Sequence, residues 1–440
     1  MSAHFLPNDT PTTHLTSLTA SSTQLYFPPA TNPSDTAELW KRVRRKKMSQ
    51  LPRAAGRASR RGRGRGAPAS PEDDRDGPAP PPSPPMSSMR APSVVSSTAN
   101  TATTPRSTRI NVRSPRFPEL ILQPRRIDID KTKRTNPSAF AHFGTSDAPP
   151  DYRQLPGLAQ ADIWVEDDTH GFEGIVEEYR EMRLQGLCEA EFATFGKDCF
   201  FRGQRRAVRV AEDSLLRAER MVQPVSLPDD DTWQIPPAFL LEDGAGLGTA
   251  AAAGAAWAGD VRPDCSYWLS LRGFNYEYSF QVQTVTYVKS NALCPYLTIE
   301  FKRDGEPEDV AIAQVAAAGA IALYNRFRLY RSAVASKNDQ WTPVPVGNLR
   351  HYGITFVGSQ YIVWVLRVRI DTSAEWDGCV MERLMTADCS QHWVAARELA
   401  RWINEIHRWG LTVHGPECKD EIKAVLRGTG VRTSDLRSVA

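Results

Sequence analysis

Two apolar segments followed by a long alanine-rich segment constrain the fold of this chain more than any other feature. Residues 264–271 and 296–302 have the apolar and aromatic composition of buried strands, and turn residues bound each of them. Residues 309–330 follow as a helix, in which the small side chains of Ala316 to Ala320 form a narrow face that can lie close to a sheet. With a further strand predicted at residues 280–289, this order predicts a three-stranded meander against a helix, and hence an α/β domain.

A pair of opposite charges stands at the end of the last of these strands. Because successive side chains of a strand point to opposite faces, Glu300 and Lys302 share one face. Ile299 and Phe301 then occupy the other face. Asp264 joins the pair if its strand lies nearby, and two carboxylates with an ammonium can bind a divalent cation and place a water for attack on a phosphodiester.

These residues occur in the order of a known motif. Pro263-Asp264 resembles the PD half and Glu300-Phe301-Lys302 the (D/E)XK half of the PD-(D/E)XK nuclease motif, and residues 314–320 resemble the helix that follows it. In this respect the chain is similar to the fungal nuclease-like domains of that superfamily. The resemblance implies a restriction-endonuclease-like fold for residues 156–440, with a mixed central sheet flanked by helices.

The resemblance also implies a reaction and a cofactor. Asp264 and Glu300 would hold Mg²⁺ or Mn²⁺, together with the carbonyl of Phe301, because hard cations prefer oxygen ligands. Lys302 would have its pKa lowered by the metal, and it would either orient or deprotonate the attacking water or stabilise the pentavalent phosphate. The implied activity is metal-dependent hydrolysis of nucleic acid.

Two further site positions follow from the same resemblance. Gln314 would hydrogen-bond the metal site or a backbone phosphate, with an ordinary polar helix residue as the alternative interpretation. An acidic residue on an early helix often assists the metal in this family. Glu177 or Glu178 would take that role, and a solvated helix face is the alternative for each.

Residues 1–155 form a basic arm in which Ser, Thr, Pro, Arg and Gly predominate, and this composition predicts disorder. The basic cluster Lys41–Lys47 and the Arg/Gly segment at residues 60–66 indicate a nuclear import signal or a contact with nucleic acid phosphates, DNA or RNA. A solvated tail without a partner is the alternative. Residues 115–130 carry several apolar side chains and form either a short docking segment or nothing ordered.

Other segments complete the predicted domain. Apolar residues at helical spacing predict helices at residues 172–185, 205–221 and 393–409. Residues 351–357 and 361–370 are predicted strands that a hairpin at Gly358-Ser359 joins. The glycine-rich stretch at residues 244–249 lacks the last residues of a nucleotide-binding loop and is interpreted as an insertion.

Composition excludes several classes of protein. No apolar run reaches the roughly 18 to 20 residues that cross a bilayer, so a soluble protein without a membrane partner is expected. The N-terminus lacks the pattern of a secretory signal. The seven cysteines show no CxxC pair or zinc spacing and are interpreted as reduced thiols of an intracellular protein, with nuclear localisation from the basic cluster.

Three functions remain open from the residues. The first is a metal-dependent nuclease, and the second is a domain of the same fold that binds nucleic acid or protein without turnover, since a fold does not determine a function. The third is a structural protein with a regulatory tail. The residues leave the oligomeric state open as well.

Overall fold

The computed structural model describes residues 110–132, 137–145, 149, 151–159, 161–204, 217–229, 232–239, 257–274, 279–336 and 342–428. This part of the chain is an α/β domain in which helices flank a mixed sheet of eight strands. The predicted fold class is confirmed at this level. Lys41–Lys47 and the glycine-rich stretch at residues 244–249 lie outside the described residues.

The sheet has the order β1-β8-β7-β6-β5-β3-β2, and the short β4 pairs with β5 beside this path. β5 is parallel to β6 and β1 is parallel to β8, whereas the remaining neighbours are antiparallel. The strands are β1 (Ile127–Asp130), β2 (Ala218–Val222), β3 (Cys265–Ser270), β4 (Val288–Lys289), β5 (Ala292–Lys302), β6 (Arg350–Val357), β7 (Gln360–Ile370) and β8 (Trp376–Asp388).

The helices cover both faces of this sheet and enclose two apolar cores. The core on one face takes side chains from α2, α3, α6 and α7, and the core on the other face is built around α5. The helices are α1 (Ala139–Phe143), α2 (Thr169–Leu184), α3 (Glu189–Cys199), α4 (Ser279–Val285), α5 (Glu308–Ala335), α6 (Trp393–Trp409) and α7 (Gly415–Gly428).

α5 connects the parallel strands β5 and β6 and lies unusually close to the sheet. A Cβ atom at Gly353 of β6 would stand 2.3 Å from Cγ1 of Val315, and one at Gly319 would stand 2.8 Å from Leu366. Two glycines, one in the helix and one in the sheet, therefore set this approach. The small residues of α5 have the packing role that the sequence predicts for them.

α5 is also the one helix in the described ranges with the length and apolar composition of a membrane span. Its most apolar window has a mean hydropathy of 1.3, and 78% of that window is buried within the protein. Its apolar side chains are covered by the sheet. This burial is what the central helix of a folded core shows.

Several predicted elements are confirmed. The helices predicted at residues 172–185, 309–330 and 393–409 correspond to α2, α5 and α6. The strands predicted at residues 351–357 and 361–370 are β6 and β7, which pair as a hairpin. The strands predicted near Asp264 and Glu300 are β3 and β5.

Two predicted elements are wrong where the structure describes them. Residues 280–289, predicted as a strand, form α4 followed by the two-residue β4. β3 and β5 are therefore direct antiparallel neighbours rather than the outer strands of a meander. The end of the helix predicted at residues 205–221 is instead β2, because its alternating side chains pair with β3 at the edge of the sheet; residues 205–216 lie outside the described residues.

The N-terminal boundary of the fold also differs from the predicted one at residue 156. Phe117, Ile121 and Leu122 are buried in the core around α5, and β1 extends the sheet beside β8. Few apolar residues in a segment rich in Pro and Arg suggested disorder. The few apolar side chains of this segment are the ones that the sheet covers, so residues 110–132 belong to the folded unit.

Candidate active site at the end of β5

The antiparallel pairing of β3 and β5 brings the predicted site residues together. Cys265, the first residue of β3, pairs with Ile299, so Asp264 lies beside Glu300 where β5 approaches its end. Thr298 hydrogen-bonds His351, which packs beside Gly319 of α5. By strand alternation Glu300 and Lys302 lie on the same face as Thr298, so they share one face of the strand as predicted.

The carboxylates of Asp264 and Glu300 each accept a hydrogen bond from a backbone N–H group of the neighbouring segment. The Oδ2 atom of Asp264 accepts a hydrogen bond of 2.8 Å from the N–H of Phe301, and Oε2 of Glu300 accepts one of 3.3 Å from the N–H of Asp264. Each carboxylate thus fixes the strand that carries the other. The two acids are positioned by the sheet rather than by a flexible loop.

Lys302 closes the group. Its Nζ donates to Oε1 of Glu300 at 2.8 Å and to the carbonyl of Phe301 at 2.7 Å, and it lies 3.5 Å from Oε1 of Glu189. The lysine is 1% exposed and Glu300 is 2% exposed. Such a buried ammonium persists because oxygen atoms surround it.

Burial and neighbouring charges shift both ionisable groups of β5. Burial, followed by the charge of Asp264, raises the pKa of Glu300 to about 8, against the opposing effect of Lys302. Burial lowers the pKa of Lys302, but Glu300, Asp264 and Glu189 outweigh burial and raise it above its ordinary value. Without a metal the lysine is therefore a cation that balances the acids, and its pKa is not lowered as the resemblance implies for the metal-bound state.

Gln314 lies on α5 over the same part of the sheet. It precedes Ala318 by one helical turn, and Ala318 lines a small cavity with Pro263 and Thr298. Gln314 is 7% exposed, and its Oε1 accepts no hydrogen bond from any residue that the structure describes. A buried amide oxygen without a donor costs about 1 to 3 kcal/mol, so this atom is suited to a donor from a ligand or water.

The acidic residue that reaches the group from an early helix is neither Glu177 nor Glu178. Both of these side chains are exposed on α2. Glu189 at the start of α3 is the one that approaches Lys302. The sequence contained a signal for this helix start, because acidic residues stand in its first turn. In the structure one of them, Glu191, accepts a hydrogen bond of 2.9 Å from the N–H of Cys188.

A second polar group at the same edge of the sheet was not predicted. Arg183 of α2 lies 3.4 Å from Asp388 and 3.3 Å from Asp304, and Ser359 donates to Asp388 at 2.7 Å. The N–H of Gly358 donates to the carbonyl of Lys302 at 2.9 Å, which joins this group to the end of β5. Sequence separations of 29 to 205 residues left no local signal for it.

The donor atoms at the end of β5 fit a hard cation. The carboxylates of Asp264 and Glu300 and the carbonyl of Phe301 are the oxygen donors that Mg²⁺ and Mn²⁺ prefer. Lys302 Nζ contacts two of these three groups. Within the described ranges, no set of three or more His, Cys, Asp or Glu side chains is arranged to hold a metal, so substrate oxygens and waters would complete the shell.

Comparisons with known proteins add no relative to this description: no family model, no curated protein and no solved structure matches the chain.

Proposed function

We propose that the domain is a metal-dependent phosphodiesterase of the restriction-endonuclease-like type that hydrolyses nucleic acid. One observation carries the proposal: Asp264, Glu300 and Lys302, which lie up to 38 residues apart in sequence, converge at one strand end with a backbone carbonyl among them. Asp264 and Glu300 would hold Mg²⁺ or Mn²⁺ with the carbonyl of Phe301. The bound ion would neutralise phosphate charge and make a coordinated water more acidic.

The sequence left two roles open for Lys302, which are activation of the attacking water and stabilisation of the pentavalent phosphate. We assign it the second, electrostatic role. Its Nζ donates hydrogen bonds to the carboxylate of Glu300 and to the carbonyl of Phe301, so its protons are already directed at oxygen atoms of the site. Its ammonium is therefore suited to stabilising negative charge on the pentavalent phosphate. Glu189 would orient this ammonium, and the unpaired Oε1 of Gln314 would accept a hydrogen bond from the attacking water.

A nucleic acid partner for the basic arm belongs to the same proposal. Lys41–Lys47 would neutralise phosphates without regard to sequence and would also serve nuclear import. DNA and RNA have this phosphate chemistry in common, so both are included in the test. A substrate held by the arm would stay close to the site at the end of β5.

Burial of the site favours a second function, that of a binding module without turnover. Glu300 and Lys302 have 2% and 1% of their surfaces exposed. In this conformation a phosphodiester cannot reach either group unless Lys302 moves. A domain that keeps this ion pair for stability alone would bind nucleic acid through the arm and cleave nothing.

The test is cleavage of supercoiled plasmid, single-stranded DNA and single-stranded RNA by the full chain in Mg²⁺, Mn²⁺ or EDTA. Cleavage should require the metal and should fall at least about 100-fold in Glu300→Gln and Lys302→Met. Glu177→Gln, which removes an exposed carboxylate from α2, is the matched control and should cleave like the unchanged protein. Folded protein that binds nucleic acid and cuts none of these substrates would support the binding module instead.

A further inference from the structure

Two thiols from distant parts of the chain meet in the core that takes side chains from α2, α3, α6 and α7. Cys294 lies in β5 and Cys418 in α7, and their thiols hydrogen-bond each other. His414 Nε2 stands next to both residues, 3.2 Å from the carbonyl of Cys294 and 3.6 Å from Sγ of Cys418. None of the seven cysteines forms a disulfide.

The backbone and the exposure of the two cysteines differ. Cys294 has a φ of +44° and lies within the irregular stretch of the β3–β5 pairing, between Leu293 and Pro295. Thr286 Oγ1 lies 3.8 Å from its sulfur. Cys294 retains 8% of its surface, whereas Cys418 is fully buried. Of the two residues, Cys294 is the more exposed.

Buried charges face this pair. Arg326 of α5 is ion-paired with Glu421 and lies 3.5 Å from Glu417. The hydrogen bond from Cys418 lowers the pKa of the Cys294 thiol, burial opposes this effect, and Arg326 adds to it. Burial raises the pKa of the isolated thiols Cys265 and Cys379 to about 12. Cys294 is thus the buried cysteine with the most thiolate character.

We propose that Cys294 and Cys418 are an oxidation site for peroxides, in which Cys294 is the attacking thiol and Cys418 the resolving one, and that they form a reversible disulfide. The contact between the thiols, the shared imidazole and the difference in exposure assign these roles. A sulfur–sulfur bond of about 2 Å requires the two hydrogen-bonded sulfurs to approach further. This site is independent of the proposed nuclease activity.

The chemistry proceeds in two steps. The Cys294 thiolate attacks hydrogen peroxide, the O–O bond breaks, and Cys294 becomes a sulfenic acid while hydroxide leaves with the electron pair. The Cys418 sulfur then attacks the sulfenic sulfur. An S–S bond forms, the S–O bond breaks, and the hydroxyl leaves as water with the Cys418 proton. A dithiol reductant returns both thiols.

The disulfide would join covalently two elements that the reduced protein holds by packing and hydrogen bonds. β5 carries Cys294 six residues before Glu300, and α7 lies near the end of the described chain. A covalent link between residues 294 and 418 closes a long loop, and long loops gain the most from closure in the unfolded state. The oxidised protein should therefore melt at a higher temperature than the reduced protein.

The experiment treats the folded full chain with hydrogen peroxide, alkylates the remaining thiols and maps the peptides by mass spectrometry. The expected result is the loss of two free thiols per molecule, at residues 294 and 418, with one linked peptide that dithiothreitol releases. Cys379→Ser, which removes a buried cysteine without a thiol neighbour, should give the same linked peptide. In Cys418→Ser the sulfenic acid of Cys294 should accumulate and react with dimedone.

Results from unchanged protein decide the proposal even if the Cys418→Ser variant does not fold. Treated protein whose thiols at residues 294 and 418 both remain open to alkylation would overturn it. Disulfides among other cysteine pairs are expected only when the protein is unfolded in urea. Their formation in the folded protein would overturn the proposal as well.

Discussion

Glu300 is a carboxylate that the fold keeps out of water between a like charge and an opposite one. Burial and the charge of Asp264 favour its protonated form, and Lys302 favours its ionised form. The pKa of about 8 that results lies well above the ordinary 4.5. A divalent cation would shift this balance toward the ionised form, as would be needed for a metal ligand.

This raised pKa predicts how stability depends on pH. The folded state holds the Glu300 proton up to about pH 8, whereas the unfolded chain releases it near pH 4.5, so the free energy of unfolding should fall as pH rises through this window. The slope from this one group is at most about 1.4 kcal/mol per pH unit. Glu300→Gln should lack this contribution, and urea unfolding at a series of pH values measures the difference.

The comparison has an internal control. Glu177→Gln changes an exposed carboxylate and should follow the pH profile of the unchanged protein. Mg²⁺ at pH 8 should stabilise the unchanged protein and not Glu300→Gln, because only the former offers both carboxylates. Parallel pH profiles for Glu300→Gln and the unchanged protein would contradict the assigned pKa.

At the scale of elements, the contact between α5 and the sheet sets the geometry around the site. Val315 stands directly over Gly353, and Gly353 pairs with Thr298 two residues before Glu300. A β-branched side chain in a helix has little rotamer freedom. A larger residue at position 353 must therefore displace the helix that carries Gln314.

Gly353→Ala should destabilise the protein by about 1 to 3 kcal/mol, because the added methyl group overpacks this contact. The urea midpoint of unfolding measures the loss. Gly174→Ala is the matched control: a Cβ at this helical position of α2 meets nothing within 4 Å, so the change should be neutral or stabilise by up to about 1 kcal/mol. Equal midpoints for the two variants would show that α5 can move away at no cost.

At the scale of the whole molecule, the N-terminal segment is part of the same cooperative unit as the site. Phe117 lies within the α5 core, and β1 pairs with β8 at the edge of the sheet. Arg126 packs so closely on Gly378 that a Cβ there would stand 2.2 Å from its carbonyl oxygen, and Gly378 has a φ of +101°. The absence of a side chain at Gly378 therefore leaves the space that the backbone of Arg126 occupies.

A chain that starts at residue 156 should therefore be much less stable than one that starts at residue 110. Each buried side chain such as Phe117 or Ile127 contributes about 1.5 to 3 kcal/mol, and several are lost together against a typical stability of about 5 to 15 kcal/mol. Thermal unfolding and solubility of the two chains measure the effect. Identical melting of both would place residues 110–155 outside the folded unit.

Local patterns predicted most elements around the site. Apolar spacing identified α2, α5 and α6, and the hairpin of β6 and β7 followed from turn residues between two apolar runs. The strand prediction for residues 280–289 was wrong because a short apolar run is compatible with a helix and with a strand. α7 and β8 were not predicted. The polar residues in β8, such as Glu382, blur the pattern, and ion pairs with neighbouring strands accommodate them.

The order of the amino acids is enough to show that Glu300 and Lys302 share one face of a strand, because side-chain alternation is a property of the backbone. The sequence also shows that a helix with a narrow face of small side chains follows them. The packing of the folded chain was needed to show that Asp264 and Glu189 join the group, that the pKa of Lys302 is raised, and that Cys294 meets Cys418. These facts depend on which surfaces bury each other and on the water they exclude, and such long-range packing leaves no periodic trace in the chain.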